Sequence, residues 1–154
     1  FSSFKKQPNF ISPDDCKKHN INTDYLKLSH PGNSYAYKLT FKDKYFIYAT
    51  DNELHESNYN ECISFFDAAD VLIHDCFFYN ENKHSVHKWG HSFLNQNLQI
   101  AHAAKVKNLC LFHHNSNRTS EQFSKMKKDI DLFLKNNNDV FKCHITHDSF
   151  ILDF

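Results

Sequence analysis

Residues 34–41 alternate in polarity, with Tyr35, Tyr37, Leu39 and Phe41 on one face, the period of a half-buried β-strand. Lys42, Asp43 and Lys44 read as a turn, and residues 45–50 return as the second strand of a hairpin. Residues 24–29 are a short strand candidate. Residues 1–23, with Pro8, Pro13 and the Asp14-Asp15 pair, read as loop with at most one helical turn. The period then changes. Residues 58–69 look helical, and residues 71–74 form a short apolar strand. Residues 92–105 form an amphipathic helix with Leu94, Leu98, Ala101 and Ala104 along one stripe. Residues 108–112 are the next buried strand. Thr119 and Gln122 make a capping box for a helix whose inner face is Phe123, Met126, Ile130 and Phe133. Residues 150–152 are expected to close the sheet. Strands alternating with helices in the second half predict a layered α/β domain.

Length and charge narrow the class. A chain of 154 residues suits one domain and buries roughly 70% of its unfolded surface. Its formal net charge is zero, which gives no basic nucleic-acid face and no polyanionic tail. The five cysteines include no Cys-x-x-Cys pair and are odd in number, so free thiols in a reducing cytoplasm are expected. Cys76 and Cys110 fall in or beside apolar runs, where a thiol packs as a small hydrophobe. No apolar run is long enough to cross a membrane as a helix. Met126 is the only methionine, so the chain is expected to be a processed product or part of a longer polypeptide, whose missing portion could carry a targeting signal.

The candidate chemistry sits in polar segments that follow strand-like runs. Leu28-Ser29-His30-Pro31-Gly32, Ala49-Thr50-Asp51-Asn52-Glu53 and Leu111-Phe112-His113-His114-Asn115 each carry an imidazole or a carboxylate, and Trp89-Gly90-His91-Ser92 opens a helix. Strand ends are where a rigid sheet gathers metal ligands from distant sequence positions. Of twelve histidines, His19, His55, His84 and His144 read as ordinary surface residues. Gly32 and Gly90, the only glycines, each lie within two residues of a candidate histidine, which suits a sharp bend or a close approach there.

The string His30-Pro31-Gly32-Asn33-Ser34-Tyr35-Ala36-Tyr37 is followed by Tyr48-Ala49-Thr50-Asp51 and Leu72-Ile73-His74-Asp75. Trp89-Gly90-His91-Ser92 and Leu111-Phe112-His113-His114 complete the series. Together these motifs resemble the second half of metallo-β-lactamase-fold hydrolases. Within that superfamily they look most similar to the phosphodiesterase-like branch, which includes cyclic-nucleotide phosphodiesterases and, further off, RNase Z. The resemblance runs from about Pro8 onward and implies an α/β (α+β) domain of the αββα sandwich type. Residues 1–154 would be the C-terminal part of that domain, with the N-terminal half absent.

The resemblance implies His30 as a ligand of one metal ion, Asp51 as a carboxylate bridging two ions and His113 as a ligand of the second. Imidazole and carboxylate suit Zn²⁺, with Mn²⁺ or Fe as alternatives. Asp75, where relatives often carry Glu, would orient His91 as the group that stabilises or protonates a leaving oxygen. His114 is expected to point away from the ions. Arg118, the only arginine, reads as a surface salt-bridge partner in preference to a phosphate clamp. These enzymes also carry a His-x-His-x-Asp-His string in their first half, and no such string occurs here. The implied activity is metal-dependent hydrolysis, of a phosphodiester such as a cyclic nucleotide or a nucleic-acid-like chain, through a metal-bound hydroxide. The isolated chain is expected to be inactive. The alternatives are a degenerate, non-catalytic module that binds a nucleotide or a protein, and a di-iron redox protein of the same fold. Substrate and oligomeric state stay open.

Overall fold

The computed structural model describes residues 13–79, 81, 86, 88–138 and 141–152. In chain order the elements are α1 (Pro13–Lys18), β1 (Asn22–Leu28), β2 (Ser34–Phe41), β3 (Lys44–Ala49), α2 (Glu56–Phe66) and β4 (Val71–Asp75). They continue with α3 (Leu94–Ala103), β5 (Asn108–Phe112), α4 (Ser120–Asn137) and β6 (Lys142–Ile145). The strands form one six-stranded sheet in sequence order. β1, β2 and β3 are antiparallel neighbours, whereas β3 to β6 run parallel. Each parallel step is made by a crossover through α2, α3 or α4, as parallel pairing requires. The C-terminal ends of β3, β4 and β5 therefore share one edge, and the segments leaving them converge.

One face of the sheet builds the core. Ala36, Ile47, Ala49, Leu72, Leu109 and Leu111 pack under Phe66 of α2, Leu98 of α3 and Met126 and Ile130 of α4. A fully buried Leu or Ile of this kind stabilises by roughly 1.5–3 kcal/mol. The α3 stripe and the α4 inner face occupy this layer as their spacing predicts, and Thr119 Oγ1 accepts from the Gln122 N–H at 3.2 Å, closing the capping box. Cys76 and Cys110 are buried free thiols. Burial pushes Cys76 up to about 12 and Cys110 to about 11, so both stay protonated and make poor ligands at neutral pH.

Three expectations need correction. The aromatic face of β2 is the open side of the sheet: Tyr37, Leu39 and Phe41 are exposed, joined by Tyr25, Tyr48 and Phe112 on neighbouring strands, while Ala36 faces the core. The closing strand is β6, and residues 150–152 lie outside any strand. Its Lys-Cys-His-Ile sequence is too polar to stand out, and parallel pairing with β5 decides it. Arg118 makes no salt bridge among the described residues. Its guanidinium donates from Nη2 to the Phe77 carbonyl, meets Met126 Sδ and lies over the Tyr79 and Phe123 rings. It clasps the start of α4 against the segment after β4. Of the histidines expected at the surface, His19 is exposed, while His55 and His144 are half-buried and hydrogen-bonded. His84 lies outside the described residues.

Candidate metal centre

Four side chains meet at the shared strand edge. Asp51 follows β3, Asp75 ends β4, His113 follows β5, and His91 stands three residues before α3. One donor atom from each lies within 4.8 Å of all the others. His91 Nδ1 is 2.5 Å from Asp75 Oδ2, and His113 Nδ1 is 2.9 Å from Asp51 Oδ1. Asp51 and His113 both hold left-handed backbone, φ 58° and 54°, conformations that side-chain-bearing residues adopt at a cost. The turn after each strand thus swings its side chain back toward the shared edge.

The ring of His91 is fixed by stacking on Phe77, with centroids 4.8 Å apart, and stands edge-on to His113 at 4.9 Å. His114 turns the other way and meets Phe123 edge-on at 5.2 Å. Asp75 is fully buried, and its Oδ1 accepts from the backbone N–H groups of Phe77 and Ser92. Burial alone would raise its pKa. The nearby His113 and His91 imidazoles, His91 through a direct 2.5 Å contact, outweigh that and hold the carboxyl at about 2. The same carboxylate lifts His113 above its ordinary value, against burial and with help from Asp51. At neutral pH Asp75 therefore offers a full negative charge among imidazoles.

The donor set suits a metal ion in its chemistry, two imidazole nitrogens and two carboxylates. One further observation fits. His113 Nδ1 is buried and stands 2.9 Å from Asp51 and 3.8 Å from Asp75, yet it forms no aligned hydrogen bond with either. Closeness without alignment is the relation of two atoms aimed at a common ion.

His30 stands beside this group and outside it. Its ring centroid is 5.5 Å from that of His91, and its Nδ1 accepts the Gly32 N–H at 3.1 Å. A neutral ring that accepts at Nδ1 carries its proton at Nε2, so ligation through Nε2 requires that contact to open. Gly90, at φ +86°, packs directly on His30: a Cβ there would lie 2.2 Å from His30 Cδ2. Glu53 fixes this loop, accepting from the backbone N–H groups of Lys88 and Gly90, each at 3.0 Å. An open cleft of about 600 Å³ reaches Glu53 and His91 from one side, and another of about 890 Å³ reaches Glu53 and His30 from the other.

The structure brings the expected residues Asp51, Asp75, His91 and His113 to one place, while His30, expected as a metal ligand, lies beside that group. The sequence reading misses the layer below. Asn52, His74, Ser92 and Asn97 are all fully buried, and all bond to the segments that carry the cluster. A histidine inside the apolar run from Val71 was the available signal, because a buried imidazole must find partners.

A mixed sheet backed by helices, with imidazoles and carboxylates gathered at one strand edge, defines a metallo-β-lactamase-type fold carrying a candidate metal centre. The family described as Beta-lactamase superfamily domain matches residues 17–114, and the chain belongs to that superfamily. No curated protein matches the chain significantly by sequence. Among solved structures it is similar to the metallo-beta-lactamase fold protein YhfI from Bacillus subtilis, with a TM-score of 0.64 and 23% identity over 86% of this chain and 50% of that one. It is also similar to human tRNase Z, short form, with a TM-score of 0.58 and 14% identity over 86% of this chain and 42% of that one. A diphosphatase from the PhnP family follows, with a TM-score of 0.54 and 16% identity over 84% of this chain and 42% of that one. These likenesses establish the fold. The chain spans half or less of the length of these structures.

Proposed function

We propose that the protein is a metal-dependent hydrolase of phosphodiesters and that this chain supplies the C-terminal part of its active site. The observation that carries the reading is the convergence of Asp51, Asp75, His91 and His113 from four separate segments onto one small volume. A metal bound there supplies Lewis acidity, polarising a phosphoryl oxygen and activating water. Asp51 and His113 are the ligands we assign, with His30 joining them once its Gly32 contact opens. Zn²⁺ suits the donors, and Mn²⁺ or Fe are the alternatives. Asp75 accepts a hydrogen bond from His91 Nδ1–H, so a His91 that also carries a proton on Nε2 would deliver that second proton to the departing oxygen and be left neutral. The phosphodiester class is inferred from the sequence motifs, and the tRNase Z and diphosphatase folds are compatible with it.

The remaining ligands would come from residues outside this chain. The open sheet face supports that: Tyr37, Leu39, Phe41 and Tyr48 present contiguous apolar surface where the second sheet of an αββα sandwich would lie. Metal analysis and hydrolysis of a chromogenic phosphodiester by the full-length protein test the reading. Asp51→Ala should remove metal and activity together. His91→Asn should keep the metal and lower kcat by roughly 10²–10⁴-fold. Unchanged metal content in the Asp51 variant would reject the ligand assignment.

A further inference from the structure

Among the described residues the buried polar groups are Asn52, Asp70, His74, Asp75, Ser92 and Asn97, and all except Asp70 belong to one network beneath the metal centre. Burying such groups is costly unless each is bonded, so their concentration under the site calls for a role there. His74 lies at the centre. Its Nδ1 is 3.0 Å from the Asp75 carbonyl, which can only accept, so Nδ1 carries the proton. Its Nε2 is then an acceptor and takes a hydrogen bond from Asn52 Nδ2 at 3.2 Å. Asn52 Oδ1 accepts the Ser29 N–H at 3.3 Å, which fixes the orientation of the amide. Asn52 directly follows Asp51, and His74 directly precedes Asp75. Ser92 adds a third tie, with its Oγ donating to the Asn52 carbonyl and its N–H to Asp75 Oδ1.

We propose that His74 and Asn52 are positioning residues: a neutral, Nδ1-protonated imidazole locks the Asp51 loop to the Asp75 strand end and so sets the spacing of the two carboxylates. Neither residue touches an ion or a substrate. The inference rests on the metal reading above and concerns only how Asp51 and Asp75 are held. A side chain left mobile by an ångström weakens a metal site severely, and removing groups that orient ligands typically costs 10–100-fold in affinity.

The test uses Co²⁺ titration of the full-length protein, followed by its d–d spectrum, with His74→Phe, Asn52→Leu and the double variant. His74→Phe strands Asn52 Nδ2 and Asn52→Leu strands His74 Nε2 and the Ser29 N–H, so each should lower both thermal stability and Co²⁺ affinity, the latter by 10–100-fold. The double variant replaces both partners by apolar groups of similar shape. It should recover much of the stability while Co²⁺ affinity stays low and the spectrum stays altered. Affinity that recovers along with stability, or that never falls, would overturn the positioning role. If the variants do not fold, ¹⁵N NMR of the unsubstituted protein decides: an Nδ1-protonated His74 is required, and an Nε2-protonated ring overturns the proposal. Failure of the unsubstituted protein to bind Co²⁺ would reject the proposed function itself, and the positioning role with it.

Discussion

Asp51 and His113 hold left-handed backbone at φ 58° and 54°, a conformation that costs a residue with a Cβ roughly 1–2 kcal/mol. This strain is stored at the candidate metal centre, where it aims both side chains. Asp51→Gly should therefore be more stable than Asp51→Ala by about 1 kcal/mol in chemical denaturation, although neither binds metal. Equal stabilities would show that the loop relaxes freely. Gly90 presents the reverse case, because its φ of +86° and its contact with His30 leave no room for a methyl group. Gly90→Ala should cost about 3 kcal/mol and displace His30, which a melting curve and the His30 ring NMR signals would register. Asp51 and His113 are legible in the sequence because they follow apolar strand runs with polar residues, and Asp75 and His91 through the motifs that carry the family resemblance. Asn52 and His74 are not, since their value lies in burial and mutual bonding. The engagement of His30 Nδ1 by Gly32 is equally invisible before the turn is built.

Elements whose apolar period was complete, such as α3 with Leu94, Leu98 and Ala101, are found where the pattern places them. β6 is hidden because a short parallel edge strand is specified by its neighbour more than by its own residues. The β2 alternation identifies a strand correctly, yet it cannot say which of two semi-apolar faces meets the helices; small Ala36 fits beneath them and the bulky Tyr37 does not. Asp70 ties these elements together at the opposite end of the sheet from the candidate metal centre. Its Oδ2 accepts the Tyr45 N–H at 2.9 Å and its Oδ1 meets Lys107 Nζ at 2.8 Å. Burial opposes its ionisation, but the Lys107 and Tyr45 bonds prevail and lower its pKa below 3.8. A lowered carboxyl pKa contributes stability above its unfolded value and loses it as pH falls through the folded one. The melting-temperature gap between the unsubstituted protein and Asp70→Asn should be widest near neutrality and shrink below about pH 4. A gap independent of pH would contradict the charged role.

At the scale of the molecule, one sheet face carries helices and the other presents Tyr25, Tyr37, Leu39, Phe41, Tyr48 and Phe112. Among the described residues no helix is long and apolar enough to cross a membrane. If a second sheet covers the open face in the full-length protein, these 154 residues alone should bind a hydrophobic dye, and the longer protein should not. Comparable dye binding by both would reject that arrangement. In the proposed function, Asp51 and His113 take metal at the edge where β3, β4 and β5 end. Anomalous diffraction at the zinc edge, from crystals of the full-length protein grown with zinc, tests it most directly. A strong peak about 2.0–2.2 Å from an Asp51 oxygen and a His113 ring nitrogen is expected. A cluster closed by its own hydrogen bonds, with zinc absent or bound elsewhere, would contradict that assignment.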